Sequence, residues 1–575
     1  MNYYYIDPTV SVNGTGTKDS PFKTFSALIA QGFSHPCTIA LKAGTTIYEN
    51  VNFGLTSLYN TTGTMSYITS YGTGPKPKWI NTDYFKAATA LDGYSYRAMH
   101  LTARKVQSVT VSGIEFYARN NLVSVDNNSS CFIWFELPPV TVETDVDVWI
   151  DNCKFISDPI GRSGNHKDYD SAVNIRLDGA ATNRANVFGV RNSSFFNVAR
   201  SINIVGNHWK ADDITDNSKG TYYSRGVKVE NIEMTGISKG GCQFAGVESL
   251  NSAYVVDKYQ SVMRNITYSK YRWDNALENT ETLYADAGFW TWRCNRIMIE
   301  NIFGGGMHPS VTDNEIIDFD YCTWDSVARN IIGFNNGASI LFMGNSSTSV
   351  QGGARAAYAP YSGTYTQAQW FYDRRNGQGN NVVEFSFFFN DGIQRLPYPS
   401  SGYDYCTNIR SGNINYNNVV RNCVFIDTVS RTSKYLASNN NFPLLQGEVP
   451  RLVIQDSVYY ARYNDGLNIL KPITDTVNYS KAATVLTNVV AFSQVWSAAD
   501  ITAAAAAVQL AGTCTNVNIT DPKIGYIPSQ PPVSVASARK IKTMPGTVLK
   551  GSGSNTTTTD IDGNFINDIW WMKIT

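Results

Sequence analysis

Charged side chains are scarce in this sequence. Asp, Glu, Lys and Arg make up 16% of the 575 residues, and the 47 basic side chains equal the 47 acidic ones. Attraction to nucleic acid or to an anionic membrane surface needs an excess of Lys and Arg gathered on one face. Neither sign forms a long run, so nucleic acid and membranes are not expected as partners.

Cysteine is sparse and irregularly placed. The nine cysteines are odd in number, scattered along the chain and never spaced as Cys-X-X-Cys. Disulfide frameworks and zinc sites both need close, regular spacing. We therefore expect buried free thiols in a chain that folds under reducing conditions. No Asp-X-Asp-X-Asp-Gly calcium loop occurs either, so no metal and no other cofactor is predicted.

Long apolar runs are also missing. No stretch reaches the length of a membrane span, and Met1 leads into Asn2 and three tyrosines instead of a basic and apolar secretion signal. We expect a chain made in a cytoplasm, or one from which any preceding segment has been removed.

Strand-forming and turn-forming residues are abundant. The chain has 34 Tyr, 27 Phe and 44 Gly beside many Asn, Ser and Thr, a mixture that favours strands and turns over helices. A chain of 575 residues can form several ordinary domains or one elongated repeat domain, and this composition favours the second.

A short unit recurs along the middle of the chain. It is an apolar strand, then an Asn (Gly in the first copy), then within three residues a large apolar side chain. The copies are residues 109–116, 148–155, 187–195, 227–234, 262–268, 297–303, 327–332 and 419–425. A spacing of this kind is typical of a solenoid, in which each coil buries its apolar face against the next and the asparagines at the bends hydrogen-bond to one another. A sandwich of antiparallel sheets stays a structural alternative, although the Asn-Gly hairpins it would need are scarce.

Both ends of the solenoid are expected to be covered. Ser20 and Pro21 fit the cap and first position of a short N-terminal helix. The alanine-rich residues 497–512 predict a helix capped by Ser497 or Asp500. The predicted organisation is an N-terminal cap with the first coils over residues 1–104, a central solenoid over 105–470, and the last coils with a C-terminal cap over 471–575.

Two acids alternate with apolar residues between residues 315 and 321. If this segment is a strand, Ile317 and Phe319 face one side, while Asp318 and Asp320 face the other, about 7 Å apart along the backbone. Paired carboxylates can cleave a glycosidic bond, because one donates a proton to the leaving oxygen and the other activates water or attacks the sugar. Glu315 or Asp313 is expected to approach from the preceding loop.

Aromatic and polar residues near these acids suit a sugar-binding groove, because sugar C–H faces pack on aromatic planes. The candidate substrate-binding residues are Asp286, Trp290, Trp292, Arg293, His308, Asp313 and Trp324. Plainer interpretations stay open: any one tryptophan can be a core residue, and the acids can be solvated or paired with Arg293, Arg296 or Arg329.

Residues 7–29 and 286–343 carry a resemblance to known proteins. The first segment has a Gly-X-Gly-Thr motif followed by Pro-Phe-X-Thr and a short helix, and the second an acid-rich strand followed by an apolar coil and an Asn-rich turn. They resemble phage tailspikes and capsule depolymerases of the pectate-lyase-like superfamily. The resemblance implies an all-β fold, a right-handed parallel β-helix. It departs at the turn, where Phe334, Asn335 and Asn336 stand in place of the His-Asp-Asn that relatives often have, so any role of that His and Asp is not carried over.

This resemblance also implies a function. It is the cleavage of bacterial capsular or O-antigen polysaccharide by a homotrimer in the phage virion, synthesised in the host cytoplasm, with hydrolysis expected over elimination. Three alternatives stay open: a lyase acting on a uronate-containing glycan, an exported bacterial enzyme, and a non-catalytic β-helix adhesin.

Overall fold

A computed structural model describes the chain over most of its repeated segments. The described residues are 1–53, 58, 63–81, 85–86, 96–118, 129–137, 145–157, 171–177, 186–198, 200–206, 224–237, 240–270, 287–306, 315–344, 378–392, 407–412, 415–428, 434–440, 452–462, 467–470, 484–500, 502–503, 513–522, 558–559 and 565–566. They divide into two compact units, one up to Thr267 and one from Tyr268 onward. The predicted domain boundaries near residues 104 and 470 stay predictions.

The first unit consists of short strands and one helix, α1 (Phe25–Gln31). Its strands are β1 (Asn2–Ile6), β2 (Cys37–Lys42), β3 (Thr46–Tyr48), β4 (Val51–Asn52), β5 (Ser66–Tyr71), β6 (Lys78–Ile80), β7 (Phe85–Lys86), β8 (Tyr96–Ala103), β9 (Val109–Ser112), β10 (Glu115–Ala118), β11 (Ser129–Leu137), β12 (Asp145–Asp151), β13 (Lys154–Ser157), β14 (Ser171–Leu177), β15 (Asn186–Arg191), β16 (Ser194–Phe196), β17 (Arg200–Val205), β18 (Ser224–Ile237), β19 (Cys242–Ala245) and β20 (Val247–Glu248). Strand β21 (Val262–Lys270) contains the division between the units.

Strands of the first unit stack in three parallel ladders. The first ladder is β1, β2, β5, β9, β12, β15 and the start of β18. The second is β3, β6, β10, β13, β16 and the end of β18. The third is β4, β8, β11, β14, β17 and β19. Consecutive strands such as β9, β10 and β11 belong to three different ladders, so each turn of the coil contributes one strand to each ladder.

The second unit repeats this plan. Its strands are β22 (Phe289–Trp292), β23 (Met298–Gly305), β24 (Glu315–Phe319), β25 (Val327–Phe334), β26 (Ala338–Met343), β27 (Gln378–Gly379), β28 (Val382–Glu384), β29 (Phe387–Phe389), β30 (Thr407–Gly412), β31 (Asn415–Tyr416), β32 (Asn418–Arg421), β33 (Val424–Asp427), β34 (Lys434–Asn440), β35 (Leu452–Ala461), β36 (Leu467–Leu470), β37 (Thr484–Ser493), β38 (Thr513–Thr515), β39 (Thr558–Thr559) and β40 (Phe565–Ile566). Its third ladder is β22, β24, β26, β30, β34 and β36, all parallel. The prediction of an all-β parallel β-helix is confirmed.

An aromatic stack runs through the core of the first unit. It begins on helix α1 at Phe25, which stacks on Trp79 with ring centroids 4.6 Å apart. Trp79, Phe116, Phe155 and Phe195 continue it on successive coils at 5.5, 5.1 and 4.8 Å. All five side chains are fully buried. The helix therefore covers the apolar end of the coil stack, which is the role predicted for it.

Helix α1 begins later than predicted. Its N-cap is Thr24, whose side chain accepts a hydrogen bond from the Ala27 N–H, while Glu49 accepts from the first two N–H groups of the helix. The prediction that Ser20 caps the helix is wrong. The chain from Ser20 onward is extended instead, because Phe22 exchanges backbone hydrogen bonds with strand β1.

At the predicted C-terminal helix, Ser497 and Asp500 form a reciprocal cap. The Ser497 hydroxyl accepts from the Asp500 N–H at 3.3 Å, and the Asp500 carboxylate accepts from the Ser497 N–H at 2.7 Å, which is a capping box with Ser497 as N-cap. Residues 498–500 and 502–503 are helical. Residues 504–512 of the predicted helix lie outside the described residues.

Asparagines occupy the bend at the later strands of the first ladder, from β12 onward. Asn192, Asn231 and Asn265 all have a positive φ, between 51° and 57°. The Asn231 and Asn265 amides each donate to the bend asparagine of the preceding coil at 3.0 Å. The Asn192 amide donates at 2.9 Å to Asp151, the residue before the bend of its preceding coil. In the second unit the same bond joins Asn330 to Asn301 and also links three coils that the sequence repeat did not reveal, through Asp456, Asn488 and Asn516. The predicted hydrogen bonding between bends is confirmed.

A ladder of alternating charge runs beside these asparagines. In the first unit Asp151, Arg191, Glu230 and Arg264 lie on successive coils, with ion pairs joining Arg191 to Asp151 and Arg264 to Glu230. In the second unit the corresponding series is Glu300, Arg329, Glu384 and Arg421, with ion pairs Arg329–Glu300 and Arg421–Glu384. Opposite charges therefore meet at each step within a unit, which is favourable for cross-strand pairs.

Seven cysteines have side chains that the structure describes, and none of these seven forms a disulfide. Cys37, Cys131, Cys153, Cys242, Cys294 and Cys423 are buried, and Cys322 is half-buried. Burial raises the pKa of Cys153 to about 12 and that of Cys37 to about 11. The six buried thiols are core residues, as predicted for this part of the chain. Among the described residues no helix is long and apolar enough to cross a bilayer.

The asparagine ladder predicts a graded effect at Asn231. Replacement by Ala should lower the free energy of unfolding by roughly 1–3 kcal/mol, because Ala is strained at positive φ and forms neither amide hydrogen bond. Asn231→Gly also removes the hydrogen bonds, but glycine adopts a positive φ without strain, so this variant should lose less stability. Urea unfolding of the three proteins measures this. Equal loss in both variants would contradict the conformational part of the explanation.

A buried histidine predicts acid sensitivity. His100 donates from Nε2 to the Tyr117 carbonyl at 3.0 Å and stacks on Phe132 at 5.1 Å, and burial lowers its pKa to about 3. The unfolded chain binds this proton near pH 6.5, so stability should fall by about 1.4 kcal/mol per pH unit as the pH drops from about 6 toward 4. His100→Phe should remove that slope. Urea unfolding at several pH values tests it, and an unchanged slope would argue against His100 as its source.

Candidate active site

The candidate acids lie in the third ladder of the second unit. Strand β24 pairs with β22 on one side and β26 on the other, with Trp290 opposite Asp318 and Asp318 opposite Leu341. The alternate positions turn inward, because Phe319 stacks on Phe342 at 5.8 Å and both are fully buried. The row from Trp290 to Leu341 is therefore on the outer face, as the alternation of the sequence predicts for Asp318.

Asp318 and Asp320 share a neighbour. The Trp290 indole N–H donates to Asp320 Oδ2 at 3.0 Å, and the same side chain is the register neighbour of Asp318. The other Asp320 oxygen accepts from the Tyr321 N–H at 2.8 Å. Both carboxylates are more buried than a solvated strand face implies, with exposures of 5% for Asp318 and 8% for Asp320.

Two of the predicted substrate-binding residues continue this surface. Trp292 stacks on Trp290 with ring centroids 6.2 Å apart, and the Arg293 guanidinium lies 5.0 Å from the centre of the Trp292 ring. Trp290 is half-buried, whereas only 7% of Trp292 is exposed. Arg293 has a φ of 51°, and its N–H donates to the Tyr321 carbonyl at 2.8 Å. Indole, guanidinium and carboxylate groups therefore meet at the end of strands β22 and β24.

Glu315 has different surroundings. It is the first residue of strand β24, not part of a loop as expected, and its side chain is fully buried. Its carboxylate pairs with Arg410 of strand β30 at 2.6 Å. A carboxylate enclosed with a guanidinium links strands β24 and β30 across β26 and is badly placed to reach a substrate.

The other predicted residues divide into two groups. Trp324 is 6% exposed and stacks on Tyr416 at 5.8 Å, so it packs within the coil instead of offering a surface to sugars. Asp286, His308 and Asp313 lie outside the described residues. Of the arginines considered as partners for the acids, Arg329 pairs with Glu300.

The turn that departs from the resembled family has a structural role. Asn336 is fully buried, and its backbone N–H and side-chain amide both donate to Asp391 Oδ1, at 2.9 and 3.0 Å. The Ser339 hydroxyl donates to the other oxygen of Asp391 at 2.9 Å. Asn336 thus fixes one coil to the next through a carboxylate supplied 55 residues later.

Sequence reasoning missed Arg410 and Leu341 as neighbours of the acids. Leu341 lies in an apolar segment that is recognisable in the sequence as a strand. Only the register of that strand with β24 could not be predicted. Arg410 is separated from Glu315 by 95 residues, and no repeat pattern spans that interval. Among the residues that the structure describes, no group of three or more His, Cys, Asp or Glu side chains is placed to hold a metal ion.

These surroundings define a surface of two acids and neighbouring indoles on a parallel β-helix. No protein-family model matches the chain, and no curated protein matches it in sequence. Solved structures similar to it include a GH136 lacto-N-biosidase from Eubacterium ramulus, with a TM-score of 0.43, 13% identity and coverage of 82% of this chain and 68% of that one. A rhamnogalacturonan lyase has a TM-score of 0.36, 12% identity and coverage of 80% and 87%. A pectate lyase, Pel9A, has a TM-score of 0.26, 10% identity and coverage of 100% and 97%.

The Glu315–Arg410 pair predicts a strong coupling. Arg410→Met leaves a carboxylate buried without its cation, which should cost about 3–5 kcal/mol of stability. Adding Glu315→Gln removes that charge, so the double variant should recover most of the loss. Chemical unfolding of both single variants and the double variant measures the coupling. Additive effects would mean that the two side chains do not act as a pair.

Proposed function

We propose that this chain is an enzyme that hydrolyses glycosidic bonds in a bacterial capsular or O-antigen polysaccharide. The observation that carries the proposal is that Asp318 and Asp320 flank one indole, Trp290, in unlike surroundings. A glycosidase needs two carboxyl groups in different protonation states.

The two acids have separate roles in this proposal. Asp320 accepts N–H bonds from Trp290 and Tyr321, and such bonds favour the ionised carboxylate. Asp320 therefore takes a proton from the attacking water or attacks the sugar directly. Asp318 lies between Trp290 and Leu341 and is 5% exposed, and burial favours the protonated form. Asp318 therefore gives its proton to the leaving glycosidic oxygen.

The adjacent residues suit a sugar chain. Trp290 is half-buried and offers an aromatic plane beside both acids, and Arg293 brings a guanidinium to the same end of the strands. Arginine binds carboxylates well, so an acidic sugar unit fits here. For the same reason a lyase that neutralises a uronate with Arg293 is the second candidate.

The enzyme also has a proposed biological setting. We place the enzyme in a phage virion as a homotrimeric tailspike, on the resemblance of residues 286–343 and on the buried free thiols, which fit assembly in a reducing host cytoplasm. Labelling phage particles with an antibody against the chain tests the setting independently of the chemistry.

Asp318→Asn and Asp320→Asn should each lower the rate of depolymerisation by about 10²–10⁴-fold, because each removes one proton-transfer group. Purified capsule is incubated with each protein, and released oligosaccharides are sized by chromatography. Asp325→Asn is the matched control: Asp325 is an acid of the following turn, paired with Asn380 at 3.1 Å, and its loss should leave the rate unchanged.

Three outcomes would change the proposal. Full activity in both aspartate variants would place the chemistry elsewhere. Products with ultraviolet absorption from a new double bond would establish elimination in place of hydrolysis. Binding of capsule without release of oligosaccharides by the wild-type chain would favour the adhesin.

A further inference from the structure

The second ladder of the first unit has an outer face that the proposed chemistry does not use. Its inward side chains are the stacked rings from Trp79 to Phe195. The residues that alternate with them point outward and lie in register over successive coils. They form an apolar row of Tyr48, Ile80, Tyr117, Ile156 and Phe196, and a polar row of Lys78, Glu115, Lys154, Ser194 and Glu233.

Aromatic rings recur on every second coil of the apolar row. Tyr48, Tyr117 and Phe196 alternate with Ile80 and Ile156. Strands of a sheet lie about 4.8 Å apart, so these rings are spaced at roughly 9.6 Å along the solenoid. Tyr48 is 53% exposed, and Tyr117, Ile156 and Phe196 are half-buried. Ile80, between Tyr48 and Tyr117 in the row, is 7% exposed. Solvent therefore reaches four of the five side chains of this apolar row.

Positive charge accompanies two of the rings. The Lys78 ammonium lies 4.6 Å from the centre of the Tyr117 ring, and the Lys154 ammonium lies 5.2 Å from that of Phe196. Glu115 stands between the two lysines, at 3.5 and 3.7 Å from their Nζ atoms. Both lysine side chains are 38% exposed. The two ammonium groups of this polar row, which also contains Glu115 and Glu233, can bind hydroxyls and carboxylates of a ligand beside the rings.

We propose that this face is a non-catalytic binding site for an acidic polysaccharide that lies along the solenoid. Every second sugar ring of an extended chain packs its C–H face on Tyr48, Tyr117 or Phe196, because aromatic planes offer such contacts. Carboxylates of the glycan lie against the ammonium groups of Lys78 and Lys154. A second protein chain would bury the row of Lys78, Glu115 and Lys154, and desolvating those charges is costly. A hydrated glycan leaves them partly in water.

The inference takes its ligand class from the proposed function, but the face is separate from Asp318 and Asp320. Binding is therefore measured on the Asp318→Asn protein, which isolates it from cleavage. The probe is polygalacturonate, and its methyl ester is the matched neutral chain. Affinity electrophoresis or calorimetry should show saturable binding of the acid and weaker binding of the ester.

Variants distinguish the contribution of the apolar row to glycan binding from that of the polar row. Tyr117→Ala and Phe196→Ala should each weaken binding of both polymers by roughly 3–10-fold, the effect expected for one aromatic contact. Lys78→Gln with Lys154→Gln should weaken only the acidic polymer. Tyr254→Ala is the control, because Tyr254 is 41% exposed in a loop outside this face and should not matter. Circular dichroism confirms that each variant is folded.

Several results would overturn the inference. No saturable binding of polygalacturonate, or equal affinity for its methyl ester, removes the acidic-glycan assignment. An unchanged affinity in Tyr117→Ala and Phe196→Ala removes this face as the site. If sedimentation shows that these variants dissociate an oligomer while glycan binding is retained, the occupant is a second copy of the chain. If the wild-type protein binds the polymer but shows no cleavage activity, only the proposed function is contradicted and the binding site stands.

Discussion

The coils stack in register because one backbone conformation recurs at the same bend. Asn192, Asn231 and Asn265 turn the chain with a positive φ, a conformation that asparagine tolerates better than most residues. The same side chains bond to a residue at or next to the bend of the preceding coil. Geometry and cohesion thus come from one residue type, and the register fixed at the bends also aligns the core rings and the outward rows of charge.

This dependence explains how much of the fold the sequence made visible. An Asn followed by a large apolar residue is a local pattern, so the bends and the parallel β-helix could be predicted from it. Coils without the full pattern were missed. In the coil of β28 and β29 the bend residue is Phe385, buried, with a φ of 48°, and the coil of β35 bends at Asp456. Register there is imposed by neighbouring coils, a tertiary effect that a single-sequence pattern does not contain.

The candidate site was predictable to a similar depth. Alternation indicated an outer face for Asp318, because that follows from strand geometry. Trp290 was a candidate sugar-binding residue because it is an aromatic residue near the acids in sequence, and its position beside Asp318 comes from the register of β22 and β24. The separate role of Glu315 was not predictable, because its partner Arg410 comes from a strand 95 residues away. Three acids within six positions therefore divide by their surroundings: one is enclosed with a cation, and two lie beside an indole on the outer face. Neighbours, more than residue type, decide which carboxylate is available for chemistry.

The alternating row of acids and arginines beside the bends restricts how such a molecule can change in length. Within the first unit the order is Asp151, Arg191, Glu230, Arg264, and within the second it is Glu300, Arg329, Glu384, Arg421. Loss or duplication of one coil would set two like charges on adjacent rungs, which is unfavourable. A change by two coils keeps the alternation. Homologous solenoids built on this row should therefore differ in that region by even numbers of coils. Repulsion between like charges thus restricts which insertions and deletions of coils can persist in evolution.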